Sequence, residues 1–428
     1  MSQVATTPIG AAPPALTRNR DFLKLWTGQT ISVAGTQVTQ LALPLVAATT
    51  LNVTPFEFGV LGMVDFLPFI ILSLPAGVWV DRLPRRPILI IGDVGRALSM
   101  ATIPISFALG TLTIWQLYVV GFINGCLTVF FDVAYQSYLP SLVERDQLID
   151  GNSKLETTRS AASVVGPGVA GTLIGFIGAP VAIGIDAISY AISTAFLLVI
   201  RRREPMPERA VTAEGSRTSV RAEAVEGLRY VLGHAYLRAI AACSGLSNLF
   251  NNIAMSIYIL FLVRELGFTP GMLGLVFSIA SVGFLIGALT ARRISDRLGV
   301  GPTMICSAAL FGPPLLVLPF VGGPLALPVV SAAGFVAFGA ATVWNINQVS
   351  LRQAITPAGM QGRMNATMRF ISWGTIPFGM ILGGFLGALI GLRQTVLLGA
   401  VLSLLPFLPV LLSPIRSIRA MPEPAAEA

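Results

Sequence analysis

The sequence predicts an all-α polytopic membrane protein with twelve transmembrane helices in two pseudo-symmetric six-helix bundles. Three observations predict it. Of 428 residues, 54% are hydrophobic and only 11% are charged, where a soluble domain carries about 25% charged residues. Apolar stretches of some 20 residues recur along the chain, and ~20 helical residues cross a hydrocarbon core of about 30 Å. The halves also echo each other. Thr54-Pro55, Gly59 and Asp81-Arg82-Leu83 return 215 residues later as Thr269-Pro270, Gly274 and Asp296-Arg297-Leu298, and Arg159 and Pro167 return after 210 as Arg369 and Pro377.

The spans fall at about 23–48, 57–80, 87–109, 113–139, 157–178, 180–200, 237–263, 270–291, 302–321, 325–347, 366–390 and 392–413. They are read as helices because backbone groups in lipid must be satisfied internally. With the N-terminus in the cytoplasm, 23 of the 28 Lys and Arg fall on cytoplasmic segments and only Arg264 and Arg393 fall outside. That is a strong positive-inside bias. It gives a cytoplasmic tail at 1–20, bundles at 21–200 and 237–415, a cytoplasmic central loop at 201–236 and a cytoplasmic tail at 416–428, in a cell membrane. The basic residues are scattered over short loops, which argues against a nucleic-acid partner despite the net charge of +8. Residues 1–20 lack an apolar core, so no cleavable signal peptide is expected. In the central loop Val225, Leu228 and Leu232 recur at helical spacing; they fit either a helix lying on the membrane surface or a solvated linker.

Four acids stand inside spans. A central Asp costs ~2.5–3.5 kcal/mol on insertion scales, so each must be paired, protonated or wetted. Asp93 and Arg96 are three apart and share a helix face. Together with Asp132, Asp186, Arg159 and Arg369 they form a candidate intramembrane charge network. Asp65 has no basic residue within ten positions. Desolvation without a cation favours the neutral acid, so Asp65 is either a proton carrier or a hydrated residue near the outer interface.

Polar uncharged residues cluster on four spans: Gln29, Ser32, Thr36 and Gln40 at 3-4-4 spacing on the first, Asn124 on the fourth, Asn248, Asn251 and Asn252 on the seventh, and Asn345 on the tenth beside Trp344. Such faces either line a wet substrate cavity or hydrogen-bond between helices. Uncharged amides and aromatics suit an amphipathic substrate more than a strongly anionic one.

The loop sequence GVWVDRLPRR (77–86), GPGVAG (166–171) in the fifth span and the doubled six-span layout resemble the major facilitator superfamily over about 21–415. LPFIILSLPAGVWVDRLPRRPILIIGDVGRAL, FFDVAYQSYLPSLV, GIDAISYAIS and NQVSLRQAITPAGMQGRMNATMRFISWG are similar to the branch with macrolide-efflux and enterobactin-exporter proteins. The resemblance implies a transporter working by alternating access, with the four polar spans lining a central cavity and Gly166, Pro167 and Gly171 in a helix-packing motif. It also implies a latch. Gly77 lets a helix approach, Asp81 bonds the start of the eleventh helix, Arg85 pairs with Asp132, and Arg82 and Arg86 hold the loop at the cytoplasmic face. The alternative is that these residues only fix orientation. Many drug–proton antiporters of the superfamily carry an Arg in the fourth span, and this chain has none there.

The sequence contains no Gly-Lys pair and hence no nucleotide-binding P-loop. With a single His, and with the three Cys all in apolar segments, neither a His-based metal site nor a disulfide framework is expected. No cofactor and no enzymatic activity are expected. The expected function is export of a small amphipathic molecule, a drug or a secreted metabolite, coupled to proton influx. The partners are that molecule, protons and lipid, and the chain is expected to act as a monomer. The alternative is an uncoupled facilitator or importer of the same fold.

Overall fold

The computed structural model describes residue 16 and residues 19–80, 83–144, 147–202, 204 and 220–422. Asp81 and Arg82, both tails beyond these limits and most of the central loop lie outside the described residues. The described residues are overwhelmingly helical. Eleven segments are long and apolar enough to cross a membrane, and a shorter apolar helix follows them.

The first half contains α1 (Arg20–Leu45), α2 (Pro55–Val80), α3 (Arg85–Ala108), α4 (Ile114–Leu142), α5 (Leu148–Ile177) and α6 (Ala179–Val199). Local chemistry sets their starts. Thr54 and Glu57 form a reciprocal capping box: the Thr54 N–H donates to Glu57 Oε2 at 2.7 Å, and the Glu57 N–H donates to Thr54 Oγ1 at 3.3 Å. Thr113 Oγ1 accepts from the Gln116 N–H at the start of α4. Helix α5 begins about nine residues before the expected span, because the polar stretch from 148 continues the same helix beyond the apolar part and Lys154 pairs with Asp150 one turn back at 2.9 Å.

The second half follows α7 (Val220–Gly233). It comprises α8 (Ala235–Met255), α9 (Tyr258–Arg264), α10 (Pro270–Leu298), α11 (Val300–Ala309), α12 (Pro313–Val317), α13 (Ala326–Ile355), α14 (Gln361–Gly374), α15 (Ile376–Ile390), α16 (Leu392–Leu402) and α17 (Leu408–Leu411). Four expected spans are therefore broken. The ninth breaks before Pro313-Pro314 and the eleventh before Pro377, where a missing N–H interrupts the ladder. The twelfth gives only α16 and α17, separated by a stretch holding Pro406. The seventh breaks at Ser256-Ile257, with no Pro or Gly to cause it.

Large apolar side chains such as Ile91, Leu98, Leu289, Phe378 and Leu389 are exposed on the outside. A protein in water would bury them; on a membrane-spanning bundle they face lipid. Helix α7 covers the expected stripe. Its Val225, Leu228 and Leu232 are exposed, while the opposite face docks on α14, where Glu226 pairs with Arg363 at 2.9 Å.

Candidate functional site

The two halves meet along two glycine seams. In the first, Gly171 of α5 faces Gly274 of α10, and a Cβ built on Gly171 would stand 2.9 Å from the Gly274 Cα and against the Pro270 carbonyl. A Cβ on Gly274 would strike the Pro167 carbonyl. In the second, Gly59 of α2 faces Gly384 of α15, and a Cβ on Gly384 would stand 2.9 Å from the Gly59 Cα. Gly59 and Gly274 are the repeated pair, so the sequence repeat becomes a structural one. Gly166, by contrast, packs inside the first half against Gln37.

Hydrogen bonds tie the halves at the same end as these seams. Arg264 donates to the carbonyls of Ala48, at 3.2 Å, and Val53, at 2.9 Å. Beside it Arg393 pairs with Glu265 at 2.8 Å. Arg264 and Arg393 are the two arginines that the charge bias places outside.

At the opposite end, where the basic loops lie, the described bonds stay within one half or reach the central loop. Arg85 does not pair with Asp132. Its side chain pairs with Glu204 at 3.3 Å, and Glu204 Oε2 accepts from the N–H groups of Arg85 and Arg86 at 2.8 and 3.1 Å. The physical reason is the helix start: exposed N–H groups and a positive dipole end attract a carboxylate, and the Glu204 loop supplies one closer than α4 does. Arg86 donates to the Leu197 and Leu198 carbonyls. Asp132 is exposed, with Arg96 and Arg159 as its charged neighbours. A Cβ on Gly77 would meet nothing within 4 Å. The expected bond of Asp81 lies outside the described residues, as does Arg82.

Asp93, Arg96 and Asp186 do come together in the first half. Arg96 pairs with Asp93 and lies between two rings, with its Cζ 4.0 Å from the Phe131 centroid and 4.4 Å from that of Tyr190. Asp186 accepts from Ser189 at 3.0 Å. Asp93, Arg96 and Asp186 are buried, whereas Arg159 is exposed. Arg369 is not part of this cluster. It belongs to the second half, where its guanidinium stacks 4.2 Å over Trp373.

The polar stripe of α1 faces α6, contrary to a cavity-lining role for all of it. Gln29 is buried against Ser193 at 3.4 Å, and Thr36 bonds the Tyr190 hydroxyl at 3.1 Å; Gln40 is exposed. Gly35 makes this seam possible, because a Cβ there would collide with Ser189 and stand 2.6 Å from Asp186 Oδ1. Asn124 is half-buried and its Oδ1 has no partner. Asp65 is exposed on α2 and has no ion-pair partner among the described residues. Its neighbour Phe66 reaches Trp373 with ring centroids 6.1 Å apart.

A cavity of about 570 Å³ occupies the second-half wall. Its lining includes Asn248, Asn251 and Asn252 of α8, Trp344, Asn345 and Gln348 of α13, and Arg369 and Trp373 of α14, with Phe311. It also includes Arg352, which sequence reasoning placed in a loop. The missed signal is spacing. Residues 345, 348 and 352 recur every three or four positions, and the sequence holds no helix breaker before Thr356-Pro357. The Nδ2 of Asn248 donates to the Ser372 carbonyl at 2.6 Å, and that of Asn252 to the Asn248 carbonyl at 2.7 Å. Their carboxamide oxygens therefore remain as acceptors.

Two six-helix halves sealed at one end, with a polar cavity in the wall of the second, are the architecture of a membrane transporter of the major facilitator type. The chain belongs to the transmembrane secretion effector family (MFS_3), whose model matches residues 11–427. It is 29% identical over 376 residues to multidrug efflux pump Tap of Mycolicibacterium fortuitum, covering 85% of this chain and 88% of that protein. It is 26% identical to macrolide efflux protein A of Streptococcus pyogenes, over 42% of this chain and 44% of that one. A bacterial homologue of the iron transporter ferroportin shares the fold. In its inward-facing structure the TM-score is 0.76 at 16% identity, over 94% of this chain and 100% of that one. In an outward-facing structure the TM-score is 0.52 at 18% identity, over 91% and 98%.

Proposed function

We infer that the protein exports a small amphipathic molecule across the cell membrane by alternating access, coupled to proton influx. The carrying observation is the asymmetry of the seam. Glycine contacts and the Arg264 bonds close one end, the cavity lies in the second-half wall, and at the other end the described bonds stay within one half or reach the central loop. Both termini and the basic loops are assigned to the cytoplasm by the positive-inside bias, which makes this conformation the inward-facing one. The higher TM-score to an inward-facing relative supports that reading. The efflux activities in the names of two relatives support the outward direction.

Asp65 is assigned as the proton carrier, because it is an exposed acid some 15 Å along α2 from Pro55 with no cation paired to it among the described residues. The Arg85–Glu204 pair is the released state of the latch; on closing, Arg85 exchanges Glu204 for Asp132. One charge crossing 100 mV supplies about 2.3 kcal/mol, enough for a concentration ratio of roughly 50.

The test has two stages. A deletion and overexpression strain pair is first screened against toxic compounds and secreted metabolites. The compound found is then added to everted vesicles while internal pH is followed. Export with proton movement that Asp65→Asn removes is the expected result. Uptake without proton movement would instead establish an uncoupled facilitator or importer.

A further inference from the structure

We propose that the second-half cavity takes the acidic end of its substrate, so that the exported molecule is an aromatic or apolar amphiphile carrying a carboxylate, sulfonate, phosphate or phenolate. This rests on the export reading and deepens it.

Two guanidiniums line the same wall. Arg369 stacks on Trp373 and pairs with no acid among the described residues. Arg352 makes no ion pair among them either, and its buried Nε has no hydrogen-bond partner. A guanidinium presents a planar fork of donors that fits a carboxylate or phosphate. An unpaired cation at membrane depth is tolerated when it faces water or a partner, and a wall with two of them draws anions from bulk solution.

The rest of the lining complements such a molecule. Gln348 Oε1 is buried without a partner, and the carboxamide oxygens of Asn248 and Asn252 are left as acceptors because their Nδ2 groups are already donating. These positions fit hydroxyl or amide N–H groups beside the anion. Trp344 and Trp373 supply apolar faces.

The test compares two dyes of one ring system, fluorescein (anionic) and tetramethylrhodamine methyl ester (cationic). The full chain is held in phosphatidylcholine nanodiscs and binding is read by fluorescence anisotropy. Fluorescein is expected to bind at least tenfold more tightly than the rhodamine. Arg352→Gln and Arg369→Gln should each weaken it about tenfold, ~1.4 kcal/mol, with rhodamine binding unchanged or improved. Arg352→Lys, which keeps the charge, should retain part of the affinity and shows that the loss is not misfolding. Tighter binding of the rhodamine, no fluorescein binding, or fluorescein affinity indifferent to both Gln variants would overturn the proposal. So would loss of fluorescein binding when phosphatidylglycerol is added to the discs, which assigns the arginines to lipid headgroups. Selective binding without fluorescein counterflow in proteoliposomes would count against the export reading and leave this site assignment standing.

Discussion

Gly171 of α5 and Gly274 of α10 touch backbone to backbone: a Cβ added at either position falls 3.0 Å or less from the other's Cα. No side chain separates the two halves there, so any residue larger than glycine forces them apart.

Gly171→Val and Gly274→Val are therefore expected to abolish transport and to destabilise the protein by about 1–3 kcal/mol, the usual cost of overpacking. Gly175, one turn further along α5, has open space where a Cβ would stand, with nothing within 4 Å, and Gly175→Ala should be silent. Unfolding midpoints in detergent and whole-cell efflux would check this; equal tolerance at 171 and 175 would contradict it.

Arg96 is the cation buried with Asp93 and Asp186. Removing it strands two buried carboxylates and the guanidinium's ring contacts. Arg96→Gln should cost about 3–5 kcal/mol, the range for breaking a buried ion pair. The double variant Arg96→Gln/Asp93→Asn should be less unstable than the single change. Denaturant titration in detergent would measure both, and additive losses would contradict the pairing.

The sequence reading succeeds where chemistry is local or periodic. Span positions and the repeated Gly59 and Gly274 follow from apolar length and offset alone. It falls short where a choice of neighbour decides. Spacing shows that Gln29, Ser32 and Thr36 share a face, but only packing shows that the face meets Ser193 and Tyr190 of α6. Likewise Arg85 has two acids to choose from, and the loop acid Glu204, with no helical periodicity to mark it, takes the bond. Arg352 escaped because hydropathy ends a span where apolar residues end, whereas α13 runs on to Ile355.

His234, just before α8, lies between Tyr230 and Tyr236, and burial pushes its imidazole down from the ordinary value of 6.5. The folded protein thus holds it neutral more readily than the unfolded chain does. Stability from this group is fully present above about pH 6.5 and declines as pH falls through that value, where the unfolded state takes up the proton first. His234→Gln should flatten that part of the stability profile. Identical slopes of unfolding midpoint between pH 7.5 and 5.5 in the two proteins would refute the assignment.

The most direct test of the account is the accessibility of the cavity. Cys126, Cys243 and Cys306 are first replaced, and a single cysteine is placed at Asn345, an exposed residue of the cavity wall. A membrane-impermeant maleimide is applied to everted and right-side-out vesicles, with and without an imposed proton gradient. The account predicts fast labelling from the cytoplasmic face at rest, and labelling from the outside only when transport is running. Labelling from the outer face at rest, or from neither face under any condition, would contradict it.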